Sequence, residues 1–180
     1  MSIIQPKHSW DRGLDYEKTY RFLLETIKTC KSEIKRRNCV VLLVQLRNGT
    51  RVSEAIDACR EMQATNSREV QIMCRKQRKN PNVRLVVYPE ELSFNLIRGY
   101  DFSILTSAVL RSYALKRFGF NTHSLRYAFV THALKRGVSP VILAKITGHK
   151  DLSVILTYAQ TQSAHQLLKD ALRYNIQSLK

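Results

Sequence analysis

Only once along its length does this chain leave helical spacing. Two β-rich runs, Glu69-Val-Gln-Ile-Met-Cys and Val83-Arg-Leu-Val-Val-Tyr, flank the basic octet Arg75-Lys-Gln-Arg-Lys-Asn-Pro-Asn. That pattern predicts an antiparallel hairpin with a strongly charged tip. Elsewhere the chain reads as helix, so the expected fold class is α+β, mainly helical, with one small hairpin at its side.

Helical spacing of Tyr16, Tyr20, Leu23, Leu24, Ile27 and Ile34 predicts one amphipathic helix from Asp15 to Arg37. The apolar run from Val40 to Leu46 reads as a buried segment. Val52 to Met62 reads as a short helix with Thr50 or Ser53 near its N-terminal end. A further helix is expected from Asp101 to Arg117. Another, capped by Thr122, should run to about Arg136 and stop at Gly137; Ser139-Pro140 should open the next and Gly148 close it. A short helix from Ser153 to Ala159 and an amphipathic one bearing Ala164, Leu167, Leu168, Ala171, Leu172 and Ile176 should complete the chain. Residues 1–12, polar and with Pro6, read as an arm or linker remnant, and 13–180 as a single domain.

Charge narrows the partner. Thirty Lys and Arg against fourteen Asp and Glu give a formal net charge of +16, which favours a polyanion, nucleic acid first. Cys30, Cys39, Cys59 and Cys74 form no C-x-x-C pair and no zinc-type cluster, so they read as reduced, mostly buried thiols. No run approaches the roughly 18 apolar residues of a spanning helix, and no secretory leader is recognisable at the start. A soluble, intracellular protein is expected.

Cleaving a phosphodiester without metal needs an oxygen nucleophile, cations on the non-bridging oxygens and an acid for the leaving 5′-oxygen. Arginine suits the second task through its planar, permanently charged fork. Lysine and histidine suit the third because they can give up a proton. The stretch Thr122-His-Ser-Leu-Arg-Tyr-Ala-Phe-Val-Thr-His resembles the H-x-x-R box of tyrosine recombinases, with His123 and Arg126 in the box. Twenty-three residues after Arg126 comes Thr147-Gly-His149, similar to the family's L-G-H, and nine after that comes Tyr158. Upstream, Arg47-Asn-Gly-Thr-Arg51-Val-Ser-Glu54 resembles its T-G-x-R-x-x-E box. Two features depart from the family pattern: Thr147 replaces Leu, and the stretch between Arg51 and Arg126 is short.

What the resemblance implies is the catalytic domain of a phage-type integrase, in which Tyr158 attacks a phosphate and forms a 3′-phosphotyrosyl bond. Arg51 and Arg126 would clamp the non-bridging oxygens, and Glu54 would accompany Arg51. His149 would add a hydrogen bond to the phosphate. His123 would accept the tyrosine proton or orient the phosphate. Lys76, with Lys79 as its rival, would protonate the leaving 5′-oxygen. No metal or nucleotide cofactor is implied. Arg75, Arg78, Lys79, Arg84 and Lys150 would hold phosphates of double-stranded DNA, which positions the protein without reading sequence. The segment after Tyr158 would dock on a neighbouring protomer, coupling active sites in a homo-oligomer on DNA, a tetramer by the resemblance.

Tyr113, Tyr127 and Tyr174 read as packing residues, and His8 and His165 as surface residues. His132 lies nine positions from His123, off its helical face, which excludes a metal pair there. Two other functions are compatible with the same composition: a type IB topoisomerase-like relaxing enzyme, and a non-catalytic basic DNA-binding module. Either an excised catalytic domain or a natural minimal integrase of a virus or plasmid fits the short arm.

Overall fold

The computed structural model describes residues 13–74, 83–149, 152 and 155. These fall into two compact units, one ending at Phe129 and the other beginning at Val130. Among the described residues, no helix is long and apolar enough to cross a membrane.

The first unit is built around one buried helix. α1 (Tyr16–Thr29) begins at Asp15, whose carboxylate accepts from the Lys18 amide at 2.8 Å. It ends at Cys30, and the chain restarts as α2 (Glu33–Asn48) with Ser32 as N-cap. The single helix expected from Asp15 to Arg37 is therefore two. Ile34 alone carried the apolar spacing across the break, and it is exposed, while the Ser32-Glu33 start signal lies inside that spacing.

The segment from Val40 to Leu46 is helical, and every residue from Arg37 to Leu46 is buried. A helix apolar on all sides has no solvent face, so its periodicity is silent and only its burial is legible in the sequence. α1, α3 (Val52–Thr65) and the sheet pack around α2.

β1 (Glu69–Met73) and β2 (Val83–Val87) pair antiparallel, with Ile72 opposite Arg84 and Met73 opposite Val83. Val70, Ile72, Arg84 and Val86 face inward, while Met73, Val83 and Leu85 are exposed. The hairpin thus presents apolar side chains outward and turns an arginine in. The side of Asn48 fixes this register, since its amide donates to Val87 O and accepts from Val87 N, both at 2.9 Å.

Beyond the sheet lies α4 (Asn95–Gly99), too short to show a helical period in sequence. Gln63 of α3 donates to the carbonyls of Ile97, Arg98 and Tyr100, and Arg60 donates to those of Phe102, Ser103 and Leu105. These bonds satisfy carbonyls that a short helix and its exit loop leave open. Helix then resumes as α5 (Ser107–Phe118), capped by Thr106, and not at Asp101. Asp101 instead accepts from the amide and hydroxyl of Ser103, which holds the chain in a turn.

α6 (Thr122–Lys135) starts at Thr122, but the cap is Asn121, whose side chain accepts from the His123 amide at 3.0 Å. In the second unit the chain leaves α6 through Gly137, at φ 81°, where a left-handed conformation is needed. α7 (Pro140–Thr147) opens with Ser139-Pro140 and closes at Gly148, as expected from the sequence. Cys39, Cys59 and Cys74 are buried, Cys30 is half-buried, and all four are free thiols. Of the helices expected from Ser153 onward only Ile155, helical and buried, is among the described residues.

Candidate active site

The C-terminal end of α2 is the point from which the first unit's charged residues are placed. Gln45 donates to the carbonyls of Thr50 and Thr122, tying the turn before α3 to the start of α6. Asn48 holds β2 as described. Gly49 sits at φ 59°, and a Cβ there would run into the Phe129 ring, so both backbone conformation and space demand glycine. Three segments distant in sequence converge on this turn.

Arg51 occupies the N-cap position of α3 and Glu54 the third helical position. The Glu54 carboxylate accepts from the Arg51 amide on Oε2 and from the Arg51 guanidinium on Oε1, both at 2.9 Å. The helix start thereby carries half of a capping box, which explains the x-x spacing between the two residues. Glu54 is wholly buried, and Arg84 Nη1 stands 3.2 Å from its Oε2. Arg84, expected among the cations that hold duplex phosphates, lies in β2 and faces inward, because the Asn48 register puts it opposite Ile72.

Arg126 comes from α6 and is almost fully buried, with Nη1 donating to Gly49 O at 2.9 Å. His123, one helical turn before it, places its Nε2 3.1 Å from the Tyr127 hydroxyl, with the two rings edge to face. Tyr127 is thus a partner of His123, a link the packing interpretation from sequence missed.

Electrostatics in this cluster are lopsided. Burial pushes the Glu54 carboxyl up, but the Arg84 charge and the bonds from Arg51 outweigh it, and the carboxyl ends below its usual range. Burial, and then the charges of Arg51 and Arg84, push Arg126 down to about 9, against the smaller pull of Glu54. Arg51 and Arg84 pair with the Glu54 carboxylate and Arg126 lies within the field of all three, so among the described residues the balance favours an incoming anion.

A prediction follows from the sign of the Glu54 shift. A depressed carboxyl contributes stability that is complete above the unfolded value, roughly 4.3, and is lost as pH falls through the lower folded value. Glu54→Gln should therefore be destabilised by about 3–5 kcal/mol at pH 7, the scale for removing one partner of a buried pair. Its stability gap from wild type should close towards pH 2. Urea unfolding across pH 2–7 measures this, and a gap that is absent at pH 7 or constant with pH contradicts it.

His149 lies in the second unit. The Thr147 hydroxyl lies 2.5 Å from Leu143 O and 2.6 Å from His149 Nδ1. A hydroxyl has one proton and Leu143 O can only accept, so His149 Nδ1 is the donor to Thr147. Thr147, the departure from L-G-H, therefore orients the His149 ring through Nδ1. Lys76, Lys79, Arg75, Arg78, Lys150 and Tyr158 lie outside the described residues.

No family model matches the chain. It is similar to a protein named as an integrase, ORF241 of the Acidianus two-tailed virus, at 34% identity over 174 residues, 91% of this chain and 69% of the viral protein. Its fold superposes on the XerH site-specific recombinase bound to difH substrate with a TM-score of 0.59 and 15% identity over 92% of this chain. The chain spans little more than half of XerH, 55%. It also superposes on the catalytic domain of bacteriophage HP1 integrase, TM-score 0.52, at 20% identity over 89% of this chain and 93% of that domain. At these identities the two solved structures establish the fold, mainly helical with a small antiparallel sheet.

Proposed function

The chain belongs to the tyrosine recombinase family of integrases, and from that premise we propose how its residues break and rejoin DNA. Residues from Gly13 onward act as the catalytic domain. Tyr158 oxygen attacks the scissile phosphorus, the 3′-phosphotyrosyl bond forms and the bond to the 5′-oxygen breaks. His123 accepts the tyrosine proton. Lys76, or Lys79 in its place, gives a proton to the leaving 5′-oxygen. A 5′-hydroxyl from the same or another strand then reverses the step, so the link conserves the phosphodiester energy and splits one hard exchange into two easier ones.

The observation that carries this reading is the convergence of Arg51, Glu54 and Arg126 at the α2–α3 turn. Arg51 and Arg126 act as preorganised positive charge on the non-bridging oxygens, strongest where water is excluded. Both are held by protein acceptors before substrate arrives, Arg51 by Glu54 and Arg126 by Gly49 O, so little reorganisation is needed at the moment of reaction. His149, held at Nδ1 by Thr147, adds a hydrogen bond to the same phosphate, donating from Nε2 when the ring is protonated. Arg75, Arg78 and Lys150 hold flanking phosphates of the duplex, and the segment after Tyr158 docks on a neighbouring protomer in an assembly on DNA. The chemistry needs no metal or nucleotide.

The test is a labelled suicide duplex, nicked beside candidate cleavage sites, incubated with the full chain in excess EDTA. A protein–DNA adduct that survives denaturation is expected. An adduct that forms only after a divalent cation is added would remove the metal-free step, and supercoil relaxation without site preference would favour a topoisomerase.

A further inference from the structure

Buried donors in folded proteins are nearly always satisfied, and charged ones most strictly, because leaving them open forfeits their hydration with nothing in return. Arg84 breaks that rule. It is 5% exposed, and among the described residues its buried Nε, Nη1 and Nη2 have no hydrogen-bond partner. The approach of Nη1 to Glu54 Oε2 at 3.2 Å is an ion pair without hydrogen-bond alignment. Arg51 takes one acceptor site on each Glu54 oxygen, and the sites that remain are fewer than the N–H donors of the Arg84 guanidinium.

Packing does not account for the residue either. Its strand neighbours on the inward face are Val70, Ile72 and Val86, a row in which an apolar side chain would fill the position. Replacing a buried ion pair by apolar residues is often neutral or stabilising, so a lone guanidinium kept in such a row needs another reason. Its position supplies one. Arg84 shares the Glu54 carboxylate with Arg51, and its charge reaches Arg126. A tetrahedral dianion or a phosphodiester offers the several oxygen acceptors that one carboxylate cannot, and a planar fork matches them.

We infer that Arg84 is a third phosphate-binding arginine, taking an oxygen of the same phosphate that Arg51 and Arg126 hold. The identity of that phosphate as the scissile one rests on the recombinase reading above; the anion site itself does not.

Inorganic phosphate is the probe. Thermal unfolding of the full chain is followed across a phosphate titration, against chloride of equal ionic strength. Wild type should be stabilised saturably, whereas Arg84→Met should need at least about 10-fold more phosphate for the same shift. Arg84→Lys keeps the charge without the fork, guards against a variant that does not fold, and should fall between the two. Repeating the titration in an Arg51→Ala background separates direct contact from mere support of Glu54 and Arg51. A direct contact weakens phosphate further there when Arg84 becomes Lys, and a supporting role leaves it unchanged.

Phosphate responses of Arg84→Met and Arg84→Lys equal to wild type would overturn the inference, as would no added effect in the Arg51→Ala background. Binding that depends on Arg84 in a protein that forms no DNA adduct would uphold the anion site while removing the recombinase chemistry attached to it.

Discussion

Tyr158→Phe should abolish the covalent DNA adduct while leaving duplex affinity within about twofold. The substitution removes one oxygen and keeps the ring, and the net charge of +16 is unchanged. Affinity for duplex is dominated by many phosphate contacts, each a small share of the whole. The chemical step has no such redundancy, because without the phenol oxygen no phosphotyrosyl bond can form. Removing the nucleophile of a covalent mechanism lowers turnover on the order of 10⁴-fold or more. Single-turnover incubation with the suicide duplex reads the adduct, and fluorescence anisotropy reads binding. An adduct that persists in Tyr158→Phe would move the nucleophile to another residue, with Tyr127 first to be tested. Loss of adduct and of binding together would point to a role for Tyr158 in holding DNA.

How far the site could be read from the chain depends on which interactions are local. Arg51 and Glu54 were legible as a pair because a helix start imposes their spacing: the third helical residue reaches back to the cap, and the structure shows both bonds. Arg126 was legible by the order and intervals of the surrounding boxes. Its anchor on Gly49 O was not, since no local pattern links residues so distant. Arg84 was hidden for a different reason. Alternation along Val83-Arg-Leu-Val-Val would turn Val83 and Leu85 to the core, and the observed register does the opposite under the control of Asn48. Strand alternation identifies two faces but not which is buried when a polar side chain from another element sets the register.

The helix boundaries show the same division. Gly137, Ser139-Pro140 and Gly148 act on their own neighbours, and the structure places them where local chemistry requires. The break at Cys30–Ser32 has its local signal in the Ser32 cap, whereas the burial of α2 from Arg37 to Leu46 is set by packing of α1 and α3 against it, which periodicity along one segment does not contain.

Arg126→Lys should slow cleavage of the suicide duplex by about 10³-fold or more, within the 10³–10⁵ range of an arginine that stabilises phosphoryl-transfer charge. Charge is conserved, so the effect isolates geometry. The native guanidinium keeps one nitrogen on Gly49 O and presents the rest of a rigid fork from that anchor. An ammonium is a single point that must either hold Gly49 O or move to the phosphate. Whichever it chooses, the fixed distance between anchor and substrate is lost, and preorganisation with it. At 10³-fold the barrier rises by about 4 kcal/mol, a loss realised in the transition state and not in duplex binding. Affinity should therefore stay close to wild type, and circular dichroism should show a folded protein, because lysine retains both charge and aliphatic stem. A rate within tenfold of wild type would mean that Arg126 serves only to hold Gly49 and the turn before α3. In that case Arg51 and Arg84 would have to carry the phosphate between them, and Arg126→Lys would still bind inorganic phosphate as the native chain does.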